Sequence, residues 1–269
     1  MATTVANLIQ QLENSYYRSW VAETTYYDGD WLVRKTPDSP FKRLNNVTPL
    51  NMADDHDIEQ RVLAHCGSHL EKPLAIRLIP LSAPKILNYV ERHQWKVLAS
   101  VGVYVLDLKG RDVLATFDDC PIADLNLFAE SVTIGNMSIE LVDPQLYAEI
   151  SIAHHQAKPS EVKPLNQLVQ RCEAKSYPLI FKINGQIFAN IFLVDDNGII
   201  GMFDFALAPN MRGQGLGRQS FNAVLEYLRL FDTIRFVWLQ IESTNATALH
   251  LYQSFGFKKI YAYDYYIVD

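Results

Sequence analysis

The stretch Arg212-Gly213-Gln214-Gly215-Leu216-Gly217 combines residue types that suit one piece of chemistry, the binding of a phosphate-bearing anion by backbone. Such a loop needs main-chain N–H groups turned toward one point, no side chains in the way, and a following helix whose dipole favours negative charge. Each glycine can take positive φ or let a pyrophosphate come close, and Arg212 adds a fixed cation for a phosphate oxygen. A plain tight turn would need one glycine, not three. Two other phosphate loops fit poorly: a P-loop ends in Gly-Lys-Ser/Thr, which is missing, and a dinucleotide fingerprint opens a parallel strand-helix-strand unit.

The elements around the loop settle that second comparison. Strands are expected at Pro178 to Ile183, Gln186 to Val194 and Ile199 to Ala208, joined by Asn184-Gly185 and Asp195-Asp196-Asn197-Gly198. Asn-Gly between apolar runs is the strongest short-range hairpin signal, so the loop follows an antiparallel meander. Beyond it, Leu216, Phe221, Val224, Leu225, Leu228 and Phe231 recur at helical spacing, with Arg218, Gln219, Asn222, Glu226 and Arg229 on the other face. A strand from Ile234 to Glu242, the N-cap types Ser243-Thr244-Asn245, a helix from Ala246 to Phe255 ending at Gly256, and a strand from Lys259 to Val268 complete the half.

Composition bounds the rest. The 269 residues are 49% hydrophobic and 20% charged, as in ordinary globular proteins. A net charge of -6 gives no general pull toward nucleic acid or an anionic membrane, so an anion site must be local. No apolar run is long enough to cross a bilayer, and the first twenty residues lack a basic stretch, apolar core and cleavage site. Cys66, Cys120 and Cys172 are odd in number and far apart, which suits a reducing compartment; a cytoplasmic protein is expected. His65 and His69 share a helix face near Cys66, but a zinc site needs a third ligand, so no metal is expected.

The segment Ala206-Leu-Ala-Pro-Asn-Met-Arg-Gly-Gln-Gly-Leu-Gly217, with Leu239-Gln-Ile-Glu-Ser-Thr-Asn-Ala-Thr-Ala-Leu-His-Leu-Tyr-Gln-Ser-Phe-Gly-Phe257, resembles motifs A and B of the GNAT N-acetyltransferase superfamily. The resemblance covers about residues 178 to 269. Trp31-Leu-Val-Arg34 with Arg43-Leu-Asn-Asn-Val-Thr-Pro49 resembles, less closely, the N-terminal domain of a bacterial subgroup in which a degenerate copy precedes the active one.

The resemblance implies an N-acetyltransferase in which an amine attacks the thioester of acetyl-CoA directly. The amine must lose a proton, the oxyanion needs a donor and the thiolate needs an acid. It implies that Ala206, Leu207 and Ala208 pair through their main chain with the pantetheine arm, and that Arg212, Gly213, Gln214, Gly215, Leu216, Gly217 and Arg218 hold the pyrophosphate. Asn245 would bond the pantetheine, and Tyr252, seven residues on and on the same helix face, would be the general acid. A core aromatic is the bland reading of Tyr252. The base is less defined. Gln240 stands where related enzymes often carry Glu and accepts no proton, leaving Glu242 and Asp204 as candidates beside a water chain. The terminal strand Tyr261-Ala-Tyr-Asp-Tyr-Tyr266 is aromatic enough to line an acceptor pocket, although packing alone favours such residues in strands.

A weak internal repeat extends this reading. Pro84 to Lys96 runs parallel to Ala246 to Lys258, Ala75 to Pro80 to the strand ending at Glu242, Asp57 to His69 to the helix after the loop, and Leu44 to Pro49 to the strand ending at Pro209. Opposite Arg212, Gly213, Gly215 and Gly217 stand Met52, Ala53, Asp55 and Asp57, and opposite Asn245 and Tyr252 stand Ala83 and Val90. Carboxylates there would repel a pyrophosphate, so the first copy is expected to bind no coenzyme A. The fold class is then α/β (α+β), two tandem units of mixed, mostly antiparallel sheet flanked by helices. Residues 1–125 would be the degenerate copy and 126–269 the catalytic one. The acceptor would be a small-molecule or peptide amine, with no nucleic acid or membrane partner; a homodimer stays open. The alternative function is a catalytically weak acetyl-CoA-binding sensor or interaction protein.

Overall fold

The computed structural model describes residues 2–110, 127–128, 131–234 and 236–268. In chain order the elements are helix α1 (Ala2–Ser19), strands β1 (Thr24–Asp28), β2 (Trp31–Lys35) and β3 (Asn46–Pro49), α2 (Ile58–Cys66), β4 (Ala75–Leu78), α3 (Pro84–Arg92) and β5 (Lys96–Asp107). There follow β6 (Val132–Ile134), β7 (Met137–Leu141), α4 (Pro144–His155), α5 (Val162–Arg171), β8 (Lys175–Ile183), β9 (Gln186–Asp196) and β10 (Ile199–Leu207). The last are α6 (Leu216–Arg229), β11 (Phe236–Glu242), α7 (Ala246–Ser254) and β12 (Lys258–Ile267). Every strand and helix expected for residues 178–269 is present, shifted by a few residues at the ends, where boundaries are least legible.

The chain forms two compact units, each built from separated stretches. One holds Met1–Val21, Val105–Leu239 and Gly256–Lys258; the other holds Ala22–Tyr104, Gln240–Phe255 and Lys259–Asp269. The boundary expected between 125 and 126 lies outside the described residues, as does Cys120.

In the first unit the strand order is β6-β7-β8-β9-β10-β11, antiparallel throughout except for β10 beside β11. The hairpins close as their sequences require: Asn184 (φ 51°) with Gly185 (φ 78°), and Asn197 (φ 57°) with Gly198 (φ 83°), are successive positive-φ residues. Such primed turns match the twist of the flanking strands. Helix α4 starts at Asp143, whose side chain accepts from the N–H groups of Gln145 and Leu146, both at 3.0 Å, with Pro144 in the first turn. Helix α1, which the pattern of the N-terminal half did not reveal, buries Leu8, Ile9, Leu12 and Tyr16 and packs on β9 and β10. Its far end is held by Arg18, which pairs with Asp196 at 2.6 Å, and by Trp20 lying edge-on to Phe203.

In the second unit the order is β1-β2-β3-β4-β12, again antiparallel except for β3 beside β4. Its core joins Trp31, Val33, Val47, Ile76 and Leu78 of the sheet to Val62, Cys66, Ile86 and Val90 of α2 and α3.

The two copies therefore share an order of elements: meander, helix, parallel strand, helix, strand. Residues Asn46 and Val47 pair with Ala75 and Ile76 as Ile199, Ile200 and Gly201 pair with Phe236, Val237 and Trp238. The ends of the chain are exchanged. α1 precedes the first meander but lies in the unit of the second, and β12, the last strand of the second copy, pairs with β4 of the first through Asp264↔Leu78, Tyr265↔Arg77 and Tyr266↔Ile76. The far edge of β4 thus obtains its hydrogen bonds from the end of the chain. Deletion of residues 259–269 is expected to strip amide-exchange protection from Ala75–Leu78, with β9, flanked on both sides, as internal reference. Mass-spectrometric hydrogen exchange checks this, and a β4 that stays protected would contradict the exchange.

Candidate active site

The glycine-rich loop lies between β10 and α6 and is exposed. Gly213 (φ 75°) and Gly215 (φ 77°) are both left-handed, a conformation that other L-residues adopt only with strain. A Cβ at Gly213 would meet nothing within 4 Å, and one at Gly215 only Gln219 Nε2 at 3.9 Å, so the space over the loop is open. Gly217 does a different job: a Cβ there would lie 3.4 Å from Leu207 Cδ1, which lets the first turn of α6 sit close on β10. No side chain caps α6, whose N-cap is Gly215. Open space, uncapped N–H groups and a helix N-terminus fit the anionic end of coenzyme A.

The strand leading into the loop is irregular in two ways. Its ladder to β11 runs only from Ile199/Phe236 to Gly201/Trp238, although β10 continues to Leu207. The β10 edge over Ala206 and Leu207 thus has no ladder to β11. On its other side β10 shifts register against β9 between Phe203 and Ala206, and Asp204 within that bulge has φ 54°.

The bulge aims Asp204 at α4. Its Oδ2 accepts from Tyr147 Oη at 2.8 Å and Ser151 Oγ at 2.6 Å, and its Oδ1 accepts from His155 Nε2 at 2.8 Å. A carboxylate only accepts, so His155 carries its hydrogen on Nε2. The Asp204 carbonyl accepts from Asn190 Nδ2 at 2.7 Å, which fixes the amide so that its Oδ1 receives His154 Nδ1–H at 2.8 Å. Tyr147, Ser151 and Asn190 are fully buried. Burial pushes the Tyr147 phenol well above its usual range and the His154 imidazole below it, so both are neutral at pH 7. The hydrogen bond that His155 donates to Asp204 raises its imidazole instead.

Arg212 links this network to the loop. Its Nε donates to the Leu207 carbonyl at 3.2 Å and its Nη2 to the carbonyl of His154. The residue that sequence reasoning reserved for a phosphate oxygen thus also ties the loop to β10 and to the end of α4.

The other expected residues lie in α7 and in the last residues of β11, from Gln240 on, which belong to the second unit. Asn245 is the N-cap of α7, its Oδ1 accepting from Ala248 N–H at 3.0 Å. Tyr252 is half-buried, and burial pushes its phenol up, so it holds its proton throughout the neutral range. Glu242 is exposed and paired with Lys42. Gln240 has no hydrogen-bond partner for either amide atom among the described residues.

The counterpart loop of the first copy is furnished differently. An open depression of about 250 Å³ is lined by Gly29, Asp30, Asn51, Ala53, Asp54 and His56. Arg61, in the first turn of α2, donates to Asp54 Oδ1 at 2.8 Å and Oδ2 at 3.1 Å and to the Asp28 carbonyl, while Asp30 N–H donates to Asp54 at 2.8 Å. The Arg61 guanidinium holds the Asp54 carboxyl below its usual range. A carboxylate of the chain itself thus takes the donors that a bound anion would use. His65 donates to Asp28 at 2.9 Å, and among the described residues no group of three or more His, Cys, Asp or Glu is arranged around a metal.

Missed by sequence reasoning were His155 and the residues that reach Asp204 with it. A signal was present: Tyr147, Ser151 and His155 stand four apart on one helix face, a polar stripe on a helix that must pack on a sheet.

Residues 144–257 match the acetyltransferase (GNAT) family. Over the whole chain the fold is similar to that of a GCN5-related N-acetyltransferase from Kribbella flavida, at TM-score 0.61 and 11% identity, covering 97% of this chain and 94% of that one. It is also similar to a conserved protein of unknown function from Staphylococcus epidermidis, at TM-score 0.57 and 14% identity over 92% and 94% of the two chains. A Drosophila protein gives TM-score 0.52 and 16% identity over 99% and 88%. The bulged strand, the glycine loop and the helix behind it all lie within the segment 144–257 that matches the acetyltransferase (GNAT) family.

Proposed function

We propose that the protein is an N-acetyltransferase that moves an acetyl group from acetyl-CoA to a primary amine of a small molecule or peptide by direct attack. The observation that carries this reading is the pair of left-handed glycines, Gly213 and Gly215, opening α6 directly after a strand whose ladder to β11 stops at Gly201. That combination offers N–H groups to a pyrophosphate and an unladdered strand edge to an extended arm. Acetyl-CoA supplies the acyl group already activated as a thioester.

The chain's own residues then divide the work. Arg212, Gly213, Gln214, Gly215, Leu216, Gly217 and Arg218 bind the pyrophosphate, and Ala206, Leu207 and Ala208 orient the arm through their main chain. Asn245, whose Oδ1 caps α7, adds a contact to that arm, a role that rests on family resemblance. Tyr252 protonates the departing sulfur; a phenol held above its ordinary range still has its proton at neutral pH, as an acid must. The first copy, with Asp54 of its loop paired to Arg61 of α2, binds no coenzyme A.

Incubation with acetyl-CoA and a broad panel of amines, following free thiol, tests the reaction. Tight coenzyme A binding with no thiol release from any amine would favour the alternative, an acetyl-CoA-binding sensor that has lost turnover. Gly215→Val should weaken coenzyme A binding at least tenfold by calorimetry, because a branched residue resists φ 77° and points into the open space over the loop. Unchanged affinity would remove the loop from the site. Tyr252→Phe should lower kcat by about 10²-fold while KM for the donor stays put, and full activity would reject the acid role. Arg61→Met should destabilise the protein by about 3 kcal/mol, since it strands partly buried carboxylates, yet leave coenzyme A affinity unchanged. Calorimetry with denaturant titration reads both, and a large loss of affinity would mean that the first copy is not idle.

A further inference from the structure

We propose that His155 takes the proton from the acceptor amine, with Asp204 as its positioning residue. This rests on the acyl-transfer reading above and names the base that it leaves open.

Three observations carry the assignment. Asp204 has both carboxylate oxygens engaged, by Tyr147, Ser151 and His155, and its side chain is only 14% exposed, so it is poorly placed to meet an amine itself. Glu242 is paired with Lys42. His155, by contrast, is 44% exposed in its side chain and presents Nδ1 while Nε2–H is held by Asp204. It also stands beside the donor seat, since Arg212 donates to the carbonyl of the preceding residue, His154. An imidazole whose one nitrogen is fixed by a carboxylate and whose other has no hydrogen-bond partner among the described residues is the arrangement a general base needs.

The proton accounting is as follows. The acceptor ammonium gives one proton to His155 Nδ1, leaving a neutral amine and an imidazolium stabilised by Asp204. The amine nitrogen then forms a bond to the thioester carbonyl carbon, the C–S bond breaks, and the sulfur leaves with the electron pair. The second proton of the nitrogen ends on that sulfur, and His155 returns its own proton to water. The sum is one amide, one thiol and one proton released.

The groups that face His155 are Asp204 on β10, Arg212 in the loop, and His154 on α4 itself; Tyr147 shares Asp204 with it. Asp204 raises the imidazole while Arg212 opposes it. Below its pKa the imidazole already holds a proton and cannot accept another, so kcat/KM should rise with pH through a midpoint above 6.5.

Two measurements test the dyad. The first is an NMR titration of His155 in the protein without donor or acceptor, for the wild type and for Asp204→Asn. Asn tolerates the left-handed conformation at position 204, so this variant keeps the bulge; Ser151→Ala, which removes one donor to Asp204, is a milder second probe. The His155 midpoint should fall in Asp204→Asn and shift in Ser151→Ala; an unmoved midpoint in both overturns the positioning role. The second is the pH profile of thiol release. His155→Gln should lower kcat/KM by about 10² to 10⁴-fold, erase the limb above 6.5, and leave the calorimetric Kd for coenzyme A within twofold. A His155→Gln enzyme that keeps its rate or its limb overturns the proposal while leaving the acyltransferase reading intact. A wild type that binds coenzyme A and shows the coupled titration but releases no thiol with any amine overturns both, and places the fault in that reading.

Discussion

The carboxylate of Asp204 organises the site because it sits at the one place where β10 departs from regular strand geometry. A non-glycine residue at φ 54° costs about 1–2 kcal/mol, and it breaks the register with β9. Hydrogen bonds to a charged acceptor contribute about 1.5–3 kcal/mol each, and Asp204 receives three from α4, so the bulge is stable with α4 docked and strained without it. The same contacts set the height of α4 on the sheet and the direction of His155. Asn190 closes the arrangement from β9 by donating to the Asp204 carbonyl, which is turned out of the ladder at the bulge.

That dependence explains what could and could not be read from the sequence. The loop was legible because its constraints are local: glycines at Gly213, Gly215 and Gly217 report backbone demands wherever the rest of the chain goes. The meander was legible for the same reason, since Asn184-Gly185 and Asn197-Gly198 carry their turn type in two residues. His155 and Asp204 are 49 positions apart, and their meeting depends on a bulge that no local pattern announces. Phe203-Asp204-Phe205 reads as ordinary alternation in a strand; only the left-handed backbone turns the aspartate toward the helix. Asp204 was a candidate for the base because it was an acid near the loop; the geometry shows both its oxygens already engaged, one of them by His155.

The two copies differ at the loop more than in the scaffold around it. Both copies run a meander into a loop, a helix and a parallel strand. In one, the loop is three glycines with open space above it. In the other, Asp54 accepts from Asp30 N–H and from Arg61, so charge balance is achieved inside the fold. The repeat was visible in the sequence because apolar periodicity survives in both copies, but the exchange of ends was not. Nothing in the pattern of Tyr261 to Tyr266 says which sheet it joins; its pairing with β4 follows from that strand having an edge to fill.

On the proposed acyl-transfer reading, Arg212 joins the two demands of the reaction on one frame. Its guanidinium reaches the Leu207 carbonyl, at the end of the strand whose outer edge is open, and the His154 carbonyl, one residue before the open imidazole. A planar group with five donors in fixed directions can hold both carbonyls and retain N–H groups for an anion, which an ammonium on a flexible stem does less well. The phosphate loop, the open edge and the imidazole therefore share one positional reference. A shift of the loop would carry the end of α4 with it, so anchoring a pyrophosphate at Gly213 to Gly217 would also steady the imidazole, and the binding of the donor's distant end would be spent on orientation at the reacting end.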